Sequence, residues 1–137
     1  MPTRAQQIIA GIRDRHVSQQ LASVYNETNP ALSAVTQATS RTTGVTVTNR
    51  AGAITTNTAS LAAETAAAFV VTCAAIGLGD VVVVSQRSGA NGGMTDVAVS
   101  AVANGSFTIN VMNNNAAAGT AETGAIVINY AVIQART

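Results

Sequence analysis

The stretch "GLGDVVVVSQRSGANGG", residues 77 to 93, sets four valines between two glycine-rich ends, and a strand running into a glycine loop is how many nucleotide-binding sites begin. Such a loop holds phosphate when it opens a helix whose N-terminal amides face the anion, or when a Walker-type lysine follows it. Here the glycines lead into the alternating "TDVAVSAV", which reads as strand, and the chain contains no lysine. Both nucleotide readings fail. The stretch is instead a structural wall, a central strand between a turn and a flexible loop.

Other reactive side chains do not assemble into a known pattern. His16 is the only imidazole, which excludes a histidine-based metal cluster, and its setting in "RDRH" reads as a solvated segment rather than a general base. A Ser-His-Asp triad would have to recruit that histidine, and no GxSxG is present. Glu64, Asp80, Asp96 and Glu122 stand singly near turns, so a pair of catalytic acids would have to be made by the fold. No EF-hand spacing occurs. Cys73, the one cysteine, lies in the apolar run "AAFVVTCAA" and reads as buried packing. The expectation is a protein without metal, cofactor or enzymatic activity.

Composition points the same way. Charged residues are 9% of the 137, against about 25% in ordinary soluble domains, and the net charge is +1. Hydrophobic residues reach 47%, but aromatics only 3%, so the apolar content is mostly Ala, Val and Ile. Free monomers rely on mixed charge for solubility, so much of this surface is expected to meet other protein. A chain of this length buries roughly two-thirds of its unfolded surface without staples. No apolar run reaches membrane-spanning length, and "MPTRAQQ" lacks the form of a signal peptide, which predicts a soluble chain made in a cytoplasm.

Residues 1 to about 29 differ from the rest. They hold Arg4, Arg13, Arg15 and the only histidine, and end at "NETNP", where Asn29 before Pro30 is biased away from helix. Thr3 and Gln6 fit a capping box, so a helix is expected from about Arg4. At 100° per residue Ile8 and Ile12 fall on one side, while Val17, Leu21 and Val24 fall nearly opposite. Either the segment breaks near Asp14 to His16, or it is an arm touching different surfaces along its length; an amphipathic helix covering one sandwich face is the plainer alternative. Arg4, Arg13 and Arg15 make too small a cluster for nucleic-acid binding, and suit pairing with carboxylates on another protein. Residues 30 to 43 read as an extended linker.

From Gly44 the pattern becomes β-like: "GVTVTNR", "AGAITTN", "AAFVVTC", "DVVVVSQ", "TDVAVSAV", "SFTINVM" and "AIVINYAVIQA". Seven such runs with no long helical insert predict an all-β fold, an antiparallel β-sandwich or jelly-roll-like domain over 44–137 with a helical or extended N-terminal arm and linker over 1–43. "SLAAETAAA", at 60 to 68, has helix-favouring composition and is read as a loop or a single helical turn. In "VAVSAVANGSFTINV" a two-residue Asn104-Gly105 turn would oppose Ser100 to Ile109 and scramble the faces. A three-residue loop with left-handed Gly105 instead aligns Val97, Val99 and Ala101 with Val111, Ile109 and Phe107. Four consecutive valines make both faces of their strand apolar, its outer side open to the arm, a symmetry mate, a larger partner or the domain itself.

The "GDVVVV" strand, the "NGSFTINV" hairpin and the final "AIVINYAVI" strand, with the segments around them, resemble small structural proteins of tailed bacteriophages, specifically the cementing or decoration proteins of phage heads. The resemblance implies a jelly-roll-like protein on the outer capsid surface of the virion, made in the bacterial host cytoplasm, that bridges neighbouring major capsid proteins. It also implies self-association, a homodimer before a trimer, with no direct nucleic-acid or membrane contact. The residues expected to meet partners are Ile8, Ile12, Val17 and Leu21 as apolar anchors, with Arg4, Arg13 and Arg15 for pairing. A tail-fibre or spike module with a receptor-binding role is the alternative, and a small hydrolase on a β-sandwich the third.

Overall fold

Alternation of inward and outward side chains runs through the eight strands of the computed structural model, which describes residues 32–89, 94–116 and 119–135. These are β1 (Leu32–Thr36), β2 (Val45–Thr46), β3 (Ala51–Thr55), β4 (Thr65–Thr72), β5 (Val81–Ser88), β6 (Thr95–Ala103), β7 (Ser106–Asn113) and β8 (Val127–Ile133). They form two four-stranded sheets, β1-β3-β8-β5 and β2-β4-β7-β6, around one core. The described residues are all-β, with no helix, and the architecture is a β-sandwich.

The core follows from period-2 alternation. In β7 Phe107, Ile109, Val111 and Asn113 point inward; β4 contributes Ala67, Phe69 and Val71, and across the sandwich stand Ile54, Ile128 and Tyr130. Phe107 and Tyr130 stack at a tilt, with ring centroids 5.7 Å apart. Cys73 is free and fully buried, as its apolar run predicts.

Each of the seven runs identified in the sequence contains a strand, but three details differ. The sheets are mixed rather than antiparallel, because β1 pairs parallel with β3 and β2 with β4. β1 lies inside the segment expected to be linker. It is missed because "LSAVT" is short and its pairing depends on a partner glycine: an added Cβ on Gly52 would lie 2.2 Å from the Ser33 carbonyl oxygen. The valine strand β5 is an edge strand, not a central one, since β8 takes β3 on one side and β5 on the other.

The β6–β7 hairpin reaches the expected facing by another route. Val97 does oppose Val111 and Val99 opposes Ile109, and Gly105 is left-handed at φ +78°. The turn nevertheless has two residues, with Ala103 opposite Ser106, and Val102 rather than Ala101 faces Phe107. A bulge between Val99 and Ala101 absorbs one residue, so the faces are restored in mid-strand instead of at the turn. "SLAAETAAA" is a turn running into β4, with Glu64 left-handed at φ 56°.

Because Gly52 lets β1 approach, Gly52→Ala is expected to cost about 1–3 kcal/mol through overpacking. Urea unfolding of the variant checks this; an unchanged midpoint would mean that β1 is not held where it lies.

Candidate functional site

Two pairs of charged groups are drawn into the fold, at opposite ends of the sandwich. At the end formed by the last residues of β1 and β3 and the first of β8, Arg41 Nη1 meets Glu122 Oε1 at 2.9 Å, the two side chains being 5% and 1% exposed. Thr95 donates its hydroxyl to Glu122 Oε2, while Arg41 donates Nη2 to the Gly124 carbonyl at 2.6 Å and Nε to that of Ala59. The Glu122 backbone forms a two-bond bridge with Leu61, at 2.8 and 2.9 Å. Gln37 closes the next turn, donating to the carbonyls of Arg41 and Thr43 and accepting from the Asn57 amide at 3.0 Å. Asn113 donates to the Leu61 and Thr120 carbonyls. Every buried side-chain nitrogen and oxygen here has a hydrogen-bond partner within the fold, and the cluster braces three connections.

At the other end Asp80 Oδ2 lies 3.5 Å from Arg50 Nη1 and accepts the Gly77 amide at 3.0 Å; Oδ1 accepts the Ala135 amide at 3.2 Å. The first glycines of the stretch at 77–93 therefore make a tight turn closed by Asp80. Gly89, directly after β5, is left-handed at φ +72°, and the next strand in the chain is β6. Asp96 and Glu64 are exposed, on β6 and before β4. No group of three or more His, Cys, Asp or Glu side chains converges among the described residues.

Tyr130 joins this end to the core by donating its hydroxyl to the Asn49 carbonyl at 2.8 Å. Burial pushes its pKa above the usual tyrosine value, partly offset by a hydrogen bond with Ser33, with Cys73 nearby raising it further. Ser33 also accepts the Asn49 amide at 3.0 Å, tying β1 to the turn before β3.

What remains open to a partner is the outer face of the β1-β3-β8-β5 sheet. Pairing register aligns Leu32, Ala51, Ala131 and Val83 in one row across all four strands, with Ile133 opposite Val81 beside it. Leu32 is 72% exposed, Ile133 58%, Val81 52% and Val83 50%. The next row is Ala34, Ala53, Asn129 and Ser85. Its small side chains leave an open depression of about 450 Å³, bordered by Leu32 and Arg87. Among the described residues Arg87 is in neither ion pair. The opposite sheet's outer face mixes Thr72, Thr108, Asn110 and Ser106 with alanines, and Val70 is its one strongly exposed large aliphatic strand residue among those described.

The valine strand thus has the two apolar sides its sequence implies: Val82 and Val84 pack on the core, and Val81 and Val83 face out. Its outward partners Leu32 and Ile133 come from strands distant in sequence, and only the register reveals the patch. The anticipated partner residues Arg4, Ile8, Ile12, Arg13, Arg15, Val17 and Leu21 lie outside the described residues, as does His16. No helix among the described residues is long and apolar enough to cross a membrane. No protein-family model matches the chain, and neither a curated protein nor a solved structure matches it significantly.

Two outcomes follow from the enclosed groups. Glu122→Gln leaves the Arg41 cation buried without a counter-charge and is expected to cost about 3–5 kcal/mol, read as a lowered denaturation midpoint; a loss under 1 kcal/mol would remove the ion pair from its bracing role. For Tyr130, the unfolded phenol ionises near pH 10 while the folded one resists. The stability tied to its neutral form is therefore complete below about pH 10 and is lost as pH rises through the folded value. Thermal melts between pH 8 and 11 should show a decline that Tyr130→Phe flattens; equal slopes would contradict it.

Proposed function

We propose that the chain is a non-enzymatic structural protein of a bacteriophage virion, a cementing or decoration protein that binds the outside of the capsid and bridges neighbouring major capsid proteins. The observation that carries this reading is the apolar outer face of the β1-β3-β8-β5 sheet. Leu32, Val81, Val83 and Ile133 are each half exposed or more, on a sheet whose other face already has its core. Scattered exposed aliphatics need no explanation, but four on one face, joined through Ala51 and Ala131, form a patch suited to protein contact.

The use of charge supports the same reading. Arg41, Glu122, Arg50 and Asp80 are occupied within the fold, leaving the chain's low charge thinner still outside. Contacts made by such a surface are apolar and neutral-polar apart from Arg87, and a modest contact gains strength when symmetry repeats it around a shell. In this reading the eight-stranded body is jelly-roll-like, and an arm carrying Arg4, Ile8, Ile12, Arg13, Arg15, Val17 and Leu21 extends the contact onto adjacent subunits. The protein needs no cofactor and touches neither nucleic acid nor membrane.

Copy number in purified particles tests it. Quantitative mass spectrometry should find this chain in proportion to the most abundant shell protein, near one-to-one. A handful of copies would favour a tail-fibre or spike module instead, and absence from particles would overturn both.

A further inference from the structure

The two long sides of the sandwich are built differently. On one side β1, five residues long and parallel to its neighbour, stands over β2, which has two residues. Val45 and Val47 there are buried, and the Gln37 and Arg41 turn covers the end of that side. Short edges and covering loops are how sheet proteins blunt unpaired strands.

Among the described residues the other side has neither short edges nor a covering loop, and its edge strands are interrupted only by one bulge each, between Gln86 and Ser88 and between Val99 and Ala101. β5 and β6, of eight and nine residues, are the edge strands there and lie against each other across the sandwich. Neither contains Pro or Lys, and their inward-facing residues include no charge. Those inward residues, Val82 and Val84 on β5 with Val97, Val99 and Val102 on β6, are only partly buried against the core. Among the described residues no loop backbone bonds to β5, and β6 has strand partners only on its β7 side. Among the described residues the side therefore combines unpaired backbone with an incompletely covered valine seam.

We propose that this β5/β6 side is a two-fold interface between copies of this chain, with β5 pairing antiparallel to β5 of the second copy. The geometry favours a second copy because both edges open on the same side, at the spacing of this sandwich's own sheets. A two-fold mate presents β5 and β6 edges at that same spacing and meets both at once, whereas a lone peptide strand covers one. An antiparallel register centred on Val83 keeps the faces matched and sets Val81 against Ser85, Val82 against Val84 and Val83 against its own mate, and β-branched cross-strand pairs are favourable. It also extends the apolar row Leu32, Ala51, Ala131 and Val83 across the axis into one doubled strip. The interface is distinct from the outer face assigned to the shell, so neither assignment requires the other.

Sedimentation equilibrium on the full purified chain, from about 1 to 200 μM, tests the inference. The wild type should show twice the monomer mass in the micromolar range. Val82→Lys and Val99→Lys, each placing a charge that can reach water only along the open side, should sediment as folded monomers. A monomeric wild type at the highest concentration, or variants that remain dimeric, would overturn the proposal. Should a variant fail to fold by circular dichroism, hydrogen exchange on the wild type decides. Protection of β5 amides that rises with concentration supports the interface, and protection independent of concentration overturns it. Dimers missing from particles would count against the capsid reading alone, and monomers that bind shells against this inference alone.

Discussion

The buried contact between Arg41 and Glu122 is the constraint on which much of the sandwich depends. Taking two charges out of water is costly, and the cost is tolerable only where geometry and further hydrogen bonds satisfy both groups. Here each carboxylate oxygen has its own donor, and the guanidinium also holds two carbonyls from separate connections. One ion pair thus fixes the β1–β2 turn, the β3–β4 loop and the β7–β8 loop to each other and to the start of β6. Such a contact adds little net stability compared with an apolar replacement, but breaking one half is severe. Its role is to select one arrangement of loops in a chain whose core has few large anchors, Phe69, Phe107 and Tyr130 being the aromatic ones described.

That arrangement decides which faces are left for partners. With Arg41, Glu122, Arg50 and Asp80 turned to internal use, the exposed strand surface described is apolar or neutral apart from Arg87 and Asp96, and its two faces differ. One outer face carries Leu32, Val81, Val83 and Ile133, while the other is mainly small and polar. In the proposed function this asymmetry separates a docking side from a solvent side. The edge strands add a lateral asymmetry, with one side closed by short strands and the other bordered by two long ones.

The fold class was legible because strand alternation is local. Each run from "GVTVTNR" to "AIVINYAVIQA" carries its own period, and left-handed Gly105 is implied by its neighbours alone. What escaped depends on partners far along the chain. β1 needs Gly52 to be admitted beside β3. The bulge at Ser100 reconciles a two-residue turn with face matching, a solution that the hairpin's apolar pattern shares with a three-residue loop. The Arg41–Glu122 pair joins residues separated by 81 positions, and Arg41 sits in a segment whose small polar residues read as linker. The outer patch was half visible: four valines announce a strand with two apolar sides, but not that Leu32 and Ile133 extend one of them.

In the proposed function the outer face of the β1-β3-β8-β5 sheet docks on a capsid shell. Ala131 lies in the middle of that face, exposed and away from the sheet edges, so Ala131→Lys places a charge in the patch without entering the core. Cosedimentation of wild-type chain and Ala131→Lys with shells stripped of this protein, with both chains verified as folded, is the most direct measurement. The variant is expected to lose affinity at least tenfold, about 1.4 kcal/mol or more. Equal binding by the two chains would contradict it.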